Sequence, residues 1–246
     1  MKRLLTPLFG LMLIVGCAEQ AESDYSSDDA PETTSDEAML RPDALNPVNE
    51  SLEYPLGWKV RLDFPDPDAI ISADTSGADV YFASMTPGWH ITVDRPRAIF
   101  YHPASTADGS YSASTKIHLF PPGQRNEGYG LIIGGQDLET DSQSYIYFII
   151  RRSGDFLIKQ RTGENSETIF GWEANDAIVA YTEETDGMTT NTLAVHVDDT
   201  SISFFVNDTE VHQMEKGDLQ TDGIVGLRMN HAINAHIESF DVVEGS

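Results

Sequence analysis

Cysteine is almost missing from this chain: Cys17 is its one thiol. That excludes an intramolecular disulfide framework and any zinc site built from paired cysteines. Positive charge is scarce as well, with 15 Lys and Arg against 40 Asp and Glu and a formal charge of −25. A nucleic-acid surface needs Lys and Arg to displace phosphate counterions, so this balance argues against nucleic acid as a partner, and none is expected. The same shortage argues against docking on anionic lipid headgroups. Long stretches with helical periodicity are lacking. So is any apolar run of the ~20 residues that cross a bilayer as a helix. Core-forming residues are not lacking. Hydrophobic side chains make up 40% of 246 residues, enough for one packed domain of ordinary size with a tail.

The tail is at the front. Residues 1–17 read MKRLLTPLFGLMLIVGC. Lys2 and Arg3 precede an apolar stretch too short to span hydrocarbon, the pattern of a secretory signal. Its end, Ile14-Val15-Gly16-Cys17, resembles the lipobox of bacterial lipoproteins. The resemblance implies cleavage before Cys17, removing residues 1–16 as a signal peptide, and lipid on the Cys17 thiol. It implies an exported protein held at the cell envelope by a lipid anchor alone. Ala18, where an Asp would retain the protein, resembles outer-membrane sorting in a double-membraned bacterium. Residues 17–50 follow with ten acids, one base (Arg41) and three prolines. Such a segment buries too little apolar surface to offset its ordering entropy. It is expected as an extended, self-repelling, disordered tether. Asp24, Asp28, Asp29 and Glu32 lack the spacing and turn glycine of an EF-hand.

Residues 51–246 are expected to form a single all-β domain. Short β-rich runs alternate with Gly, Pro, Asn and Asp. Strands are expected over 58–63, 79–85, 89–93, 98–102, 110–120, 129–134, 144–152, 155–161, 167–170, 192–197, 201–206, 210–213, 223–229 and 235–243. Ser153-Gly154, Asp198-Asp199-Thr200 and Asn207-Asp208-Thr209 mark hairpins. One helical turn is expected near 175–180. This many closely spaced strands predict a two-sheet antiparallel β-sandwich, a jelly roll or a barrel. Both faces of 144–152 are apolar, predicting a central strand covered on each side. In 110–120 only the Tyr111, Ala113, Thr115, Ile117, Leu119 face is apolar. The side with Ser112, Ser114, Lys116 and His118 should be wet.

Four stretches together carry a family resemblance: GYGLIIGGQD (128–137), SYIYFIIRRSGDFLIKQR (144–161), NTLAVHVDDTSISFFVND (191–208) and DGIVGLRMNH (222–231). The order resembles the concanavalin A-like lectin/glucanase jelly roll. More narrowly, it resembles the laminin G-like and 3-keto-disaccharide hydrolase-type domains of envelope lipoproteins. It implies two curved sheets and a glycan partner on the concave sheet or its rim. It leaves three functions open: a non-catalytic carbohydrate-binding or adhesion module, a glycoside hydrolase acting on glucans or (3-keto-)disaccharides, and a structural or protein-interaction domain. No cofactor is expected and no metal ligands are assigned, although structural calcium stays open because many jelly-roll relatives bind it.

The residues offer candidates for contact but none for catalysis. Family 16 glycoside hydrolases of this fold carry E-x-D-x-x-E. The nearest string, Glu139-Thr140-Asp141-Ser142-Gln143-Ser144, lacks the third acid, and the spacing of Glu238 and Asp241 predicts opposite faces. No phosphate loop or nucleophile elbow occurs. Tyr145, Tyr147 and Arg151 share a strand face by their period of two, and with Arg161 could form a sugar platform. The plain alternative is core tyrosines and arginines paired to carboxylates. Gln136 and Asp137 end a strand beside Gly134-Gly135, where a ligand could approach the backbone. Trp172, and Trp89-His90, are aromatic candidates. The ligand-binding set is therefore Gln136, Asp137, Tyr145, Tyr147, Arg151 and Trp172. His90, His102 and His118 sit on separate strands without a local chelate.

Overall fold

Alternation of apolar and polar residues becomes alternation of burial. In a computed structural model, which describes residues 42–45, 47, 52–74, 77–121, 125–185 and 187–245, strand Tyr111–Leu119 buries every second residue and leaves the others half-exposed. The leader 1–16, Cys17 and most of the tether lie outside the described residues. Ala44, within the expected tether, is fully buried against the core.

In chain order the strands are β1 (Lys59–Leu62), β2 (Ile71–Ser72), β3 (Val80–Ser84), β4 (Trp89–Val93), β5 (Ala98–Ala107), β6 (Tyr111–Leu119), β7 (Gly128–Gln136) and β8 (Ser144–Arg151). There follow β9 (Asp155–Thr162), β10 (Asn165–Ala174), β11 (Thr189–Val197), β12 (Ser201–Val206), β13 (Thr209–Glu215), β14 (Gly223–Met229) and β15 (Ile233–Glu244). They build a seven-stranded sheet in the order β1-β5-β14-β7-β8-β9-β10 and an eight-stranded sheet in the order β13-β12-β11-β6-β15-β4-β3-β2. Every pairing is antiparallel except β2 with β3. The expected all-β two-sheet sandwich is the fold observed.

The two sheets bury one core between them, with Phe100, Phe148 and Phe156 from one sheet and Phe82, Phe204 and Phe240 from the other. A second apolar layer lies outside it. Ile99, Tyr101, Ile132, Tyr145, Tyr147 and Ile149 all come from the seven-stranded sheet and alternate with its core residues, so they lie on its outer face. Strand β8 is thus covered on both sides, as its sequence predicts. Gly154 turns β8 into β9, and Asn207 and Asp208, at φ 49° and 63°, turn β12 into β13. These are the positive angles that Gly and Asn tolerate.

Two expectations differ locally, and one short strand was not foreseen. Over 175–180 a single hydrogen-bonded turn forms, from the Ile178 N–H to the Asn175 carbonyl at 3.0 Å, and it does not continue as helix. Asn191 takes both backbone groups of Val179 instead, accepting from its N–H at 2.8 Å and donating to its carbonyl at 3.0 Å. A side chain that satisfies the backbone removes the need for helical bonds. A 3-10 turn forms later, at Glu183–Thr185. Strand β10 is ten residues long rather than four because two register shifts let it continue past Thr168 and Phe170. Strand β2 is two residues long, too short for periodicity to show.

Candidate functional site

The outer face of the seven-stranded sheet gathers polar groups from distant parts of the chain. Lys59 is opposite Tyr101 and Arg61 opposite Ile99. Tyr145 is opposite Arg161, and Tyr147 is flanked by Lys159 and Ile132. Asp63 and Arg228 close the middle of this face. Arg228 grips the carboxylate with two bonds, Nη1 to Oδ1 at 3.0 Å and Nη2 to Oδ2 at 2.6 Å. The same Nη1 donates to the Tyr145 hydroxyl at 2.9 Å. The guanidinium lies 4.6 Å from the centre of the Tyr147 ring. Arg161 adds a second cation, with Nη1 3.4 Å from Asp63 Oδ2, and donates from Nε to the Gly163 carbonyl at 2.8 Å. All five side chains are buried.

Burial pushes the Asp63 carboxyl up, but the Arg228 hydrogen bond and the charges of Arg228, Arg161 and Arg97 outweigh it, so the group sits below its ordinary range. Burial raises Tyr145, with Arg228 opposing. The cluster is therefore one carboxylate held ionised by two guanidiniums, and Tyr145 stays protonated as a donor or acceptor.

The expected contact residues divide into three groups. Tyr145 and Tyr147, 2% and 6% exposed, lie within the Asp63–Arg228 cluster with ring centroids 5.9 Å apart. Arg151 and Trp172 meet at the other end of the β8 row. There the Arg151 guanidinium lies 4.3 Å from the centre of the indole, and its Nε donates to Asp155 at 3.1 Å. Trp172 is 39% exposed. Gln136 and Asp137 are exposed at the end of β7, but the Gln136 amide donates to the Asp222 carbonyl at 2.8 Å. The neighbouring glycines serve the chain itself: a Cβ on Gly134 would run into the carbonyl of Gln220. Trp89 is a core residue.

Asp63 and Arg228 are missing from the sequence-based set. One signal was there, a lone base in the otherwise apolar run GIVGLRM. The acid strings resolve differently from expectation. Glu139 pairs with Lys59, and Asp141 lies 3.7 Å from Arg61. Glu238 and Asp241 share the outer face of the eight-stranded sheet, because a register shift between Ile237 and Ser239 resets the alternation. Glu238 bonds Lys116 at 2.8 Å and His118 at 2.6 Å, while Asp241 stands opposite Ser114.

On that second face two of the separate-strand histidines, His90 and His118, come together around His236, while His102 is buried on β5 of the other sheet. His236 is opposite His90 on β4 and His118 on β6, with ring centroids 6.3 and 5.9 Å apart. His90 bonds the Asn234 side chain at 2.8 Å and His118 bonds Thr190 at 2.7 Å. Burial lowers His90, and burial with the neighbouring histidines lowers His236, so both favour the neutral ring. Among the described residues no group of three His, Cys, Asp or Glu is placed to hold a metal ion.

No protein-family model matches the sequence, and no curated protein matches it significantly. Solved structures do match in shape. Carbohydrate binding module CBM66 from Bacillus subtilis is 10% identical, with a TM-score of 0.53 over 76% of this chain and 95% of that one. A protein of unknown function with a galectin-like fold, also from Bacillus subtilis, is 12% identical, with a TM-score of 0.53 over 76% and 88%. A Bacteroides ovatus GH16 from a mixed-linkage glucan locus, in complex with an oligosaccharide product, is 10% identical, with a TM-score of 0.52 over 82% and 98%. The class defined by two antiparallel sheets around one core is the β-sandwich. Within it, the fold is the concanavalin A-like lectin/glucanase jelly roll.

Proposed function

We propose that this chain is an envelope-anchored lipoprotein whose β-sandwich binds carbohydrate without cleaving it, on the outer face of the seven-stranded sheet. The observation that carries the reading is Trp172. It is an exposed indole backed by the Arg151 guanidinium, whereas Tyr145 and Tyr147 are buried in the cluster behind it and offer no ring face to a ligand. An aromatic face with hydrogen-bond donors beside it suits a sugar ring. Two of the solved structures of this shape are a carbohydrate binding module and a glucanase bound to its product, which supports a glycan as the partner.

The two carboxylates that arginines hold on this face do not suit general-acid catalysis. A glycosidase needs a carboxylic acid whose pKa is raised so that it can protonate the leaving group. Asp63 and Asp155, on this face, are both shifted down. Burial pushes Asp63 up but its arginines outweigh it, and hydrogen bonds from Arg151 and Ser153 hold Asp155 down. A glycan array paired with a hydrolysis screen that includes 3-keto-glycosides tests the reading. Trp172→Ala is expected to weaken glycan binding by ~1–3 kcal/mol, as for a packed aromatic contact, and to leave thermal unfolding unchanged. Release of free sugar would favour the enzyme. Silence on every glycan would favour a structural or protein-interaction domain.

The anchor rests on residues 1–17. Intact-mass spectrometry of the membrane fraction is expected to find a chain beginning at a lipid-modified Cys17. An unmodified thiol, or retention of Met1, would count against it.

A further inference from the structure

Charge is segregated in this domain. After residue 51 the chain carries 12 Lys and Arg and 30 Asp and Glu. Seven of those bases belong to one face. They are Lys59 and Arg61 on β1, Arg97 beside β5, Arg151 on β8, Lys159 and Arg161 on β9, and Arg228 on β14. Four carboxylates answer them: Asp63, Glu139, Asp141 and Asp155. Asp63 is shared between two guanidiniums, and Arg61 reaches Asp141 only at 3.7 Å, with that acid fully exposed. Among the described residues, Lys159 and Arg97 have no ion-pair partner. The outer face of the seven-stranded sheet is thus a cationic patch on a strongly acidic protein.

Resting on the carbohydrate-binding reading of this face, we infer that its ligand is an anionic glycan, a polysaccharide carrying uronate carboxylates or sulfate esters. Both anions present planar or forked oxygens that a guanidinium meets with paired donors. The donors within a ligand's reach are those of Lys59, Arg151 and Lys159, while Arg61 Nε and Arg228 Nε are enclosed. A cleft of ≈ 420 Å³ opens beside Lys59 and Arg61, with Tyr101 and Trp58 in its wall. Lys159 stands next to Tyr147, and Arg151 crosses Trp172. The exposed indole of Trp172 on β10 and the cations Arg151 and Lys159 therefore lie on three neighbouring strands. The Arg61–Asp141 pair is long and its acid fully exposed, and exposed pairs are weak, so a ligand anion can replace Asp141 at little cost. The acidic remainder of the surface repels a polyanion, which confines binding to this face.

The test is affinity measurement on the full chain with polygalacturonate, dextran sulfate and the neutral glucan laminarin. Binding to an acidic polymer, falling as salt rises, is the expected result, and the two acidic arms tell carboxylate from sulfate. Lys159→Gln and Arg151→Gln are each expected to weaken it roughly tenfold, the loss of a charge-assisted bond. Lys216→Gln, an equal change of charge beyond β13 on the other sheet, is expected to leave it unchanged. Lys159 has no ion pair to break, so its variant should keep the wild-type melting temperature. Retention of laminarin with no affinity for either polyanion would overturn the inference and leave the carbohydrate reading standing. Retention of nothing would overturn both. An equal loss in Lys216→Gln would show that attraction is not localised to this face, which also overturns it.

Discussion

Replacing Asp63 with alanine is expected to destabilise the domain by about 3–5 kcal/mol, because two buried guanidiniums lose their shared carboxylate while staying charged. In this size range each kcal/mol moves the melting temperature by roughly 2–4 °C, so the variant should melt clearly earlier. Urea unfolding should show a lower midpoint at unchanged slope. Leaving the charges unpaired is what costs, so Asp63→Leu combined with Arg228→Met should lose less than the two single changes added together. The sign of the pH dependence follows from the lowered carboxyl. Its ordinary value is 3.8 and its folded value lies below that. The unfolded chain therefore binds the proton first as pH falls. The Asp63 contribution is fully present above 3.8 and is lost as pH drops through the folded value. The gap between wild type and Asp63→Ala should accordingly narrow in acid. A loss under about 1 kcal/mol at neutral pH, the range of an exposed pair, would mean that this cluster does not hold the face together.

Gly134→Ala is expected to cost about 2–5 kcal/mol by the same urea assay, from two sources. At φ 64° an L side chain pays ~1–2 kcal/mol for the left-handed region. The new methyl would also meet the backbone carbonyl of Gln220, which cannot rotate away as a side chain can, and overpacking of this kind costs ~1–3 kcal/mol. Gly217→Ala separates the two sources. Its φ is 50° and nothing lies within 4 Å of the added carbon, so it should pay the backbone term alone. Equal losses at both positions would refute the close approach between β7 and the segment before β14.

The glycine pair shows how far local pattern reaches. GLIIGGQD announces a strand end where something comes close to the backbone, and that much is true. What comes close is residue 220 of the same chain, and no property of residues 128–137 names it. The strands themselves were legible because burial on a strand repeats every two residues. Tyr111–Leu119 buries the face its sequence marks as apolar, and β8 is buried on both faces as its two apolar rows require. Hairpins at Gly154 and at Asn207-Asp208 were legible because positive φ admits few residue types. With strands and turns in place, an all-β sandwich follows, since each apolar face has to be covered.

Sheet order, register and bulges belong to the tertiary structure. Asp63 and Arg228 stand 165 residues apart in sequence and share a bidentate bond. His90, His118 and His236 lie side by side because β15 runs between β4 and β6. A single register shift in β15 brings Glu238 and Asp241 to the face where strict alternation would have parted them. Composition and period act over a few bonds of the chain and dictate which residues seek the interior. The choice of neighbour across a sheet depends on packing between segments a hundred residues apart, and it is this choice that assembles the cationic outer face from β1, β8, β9 and β14.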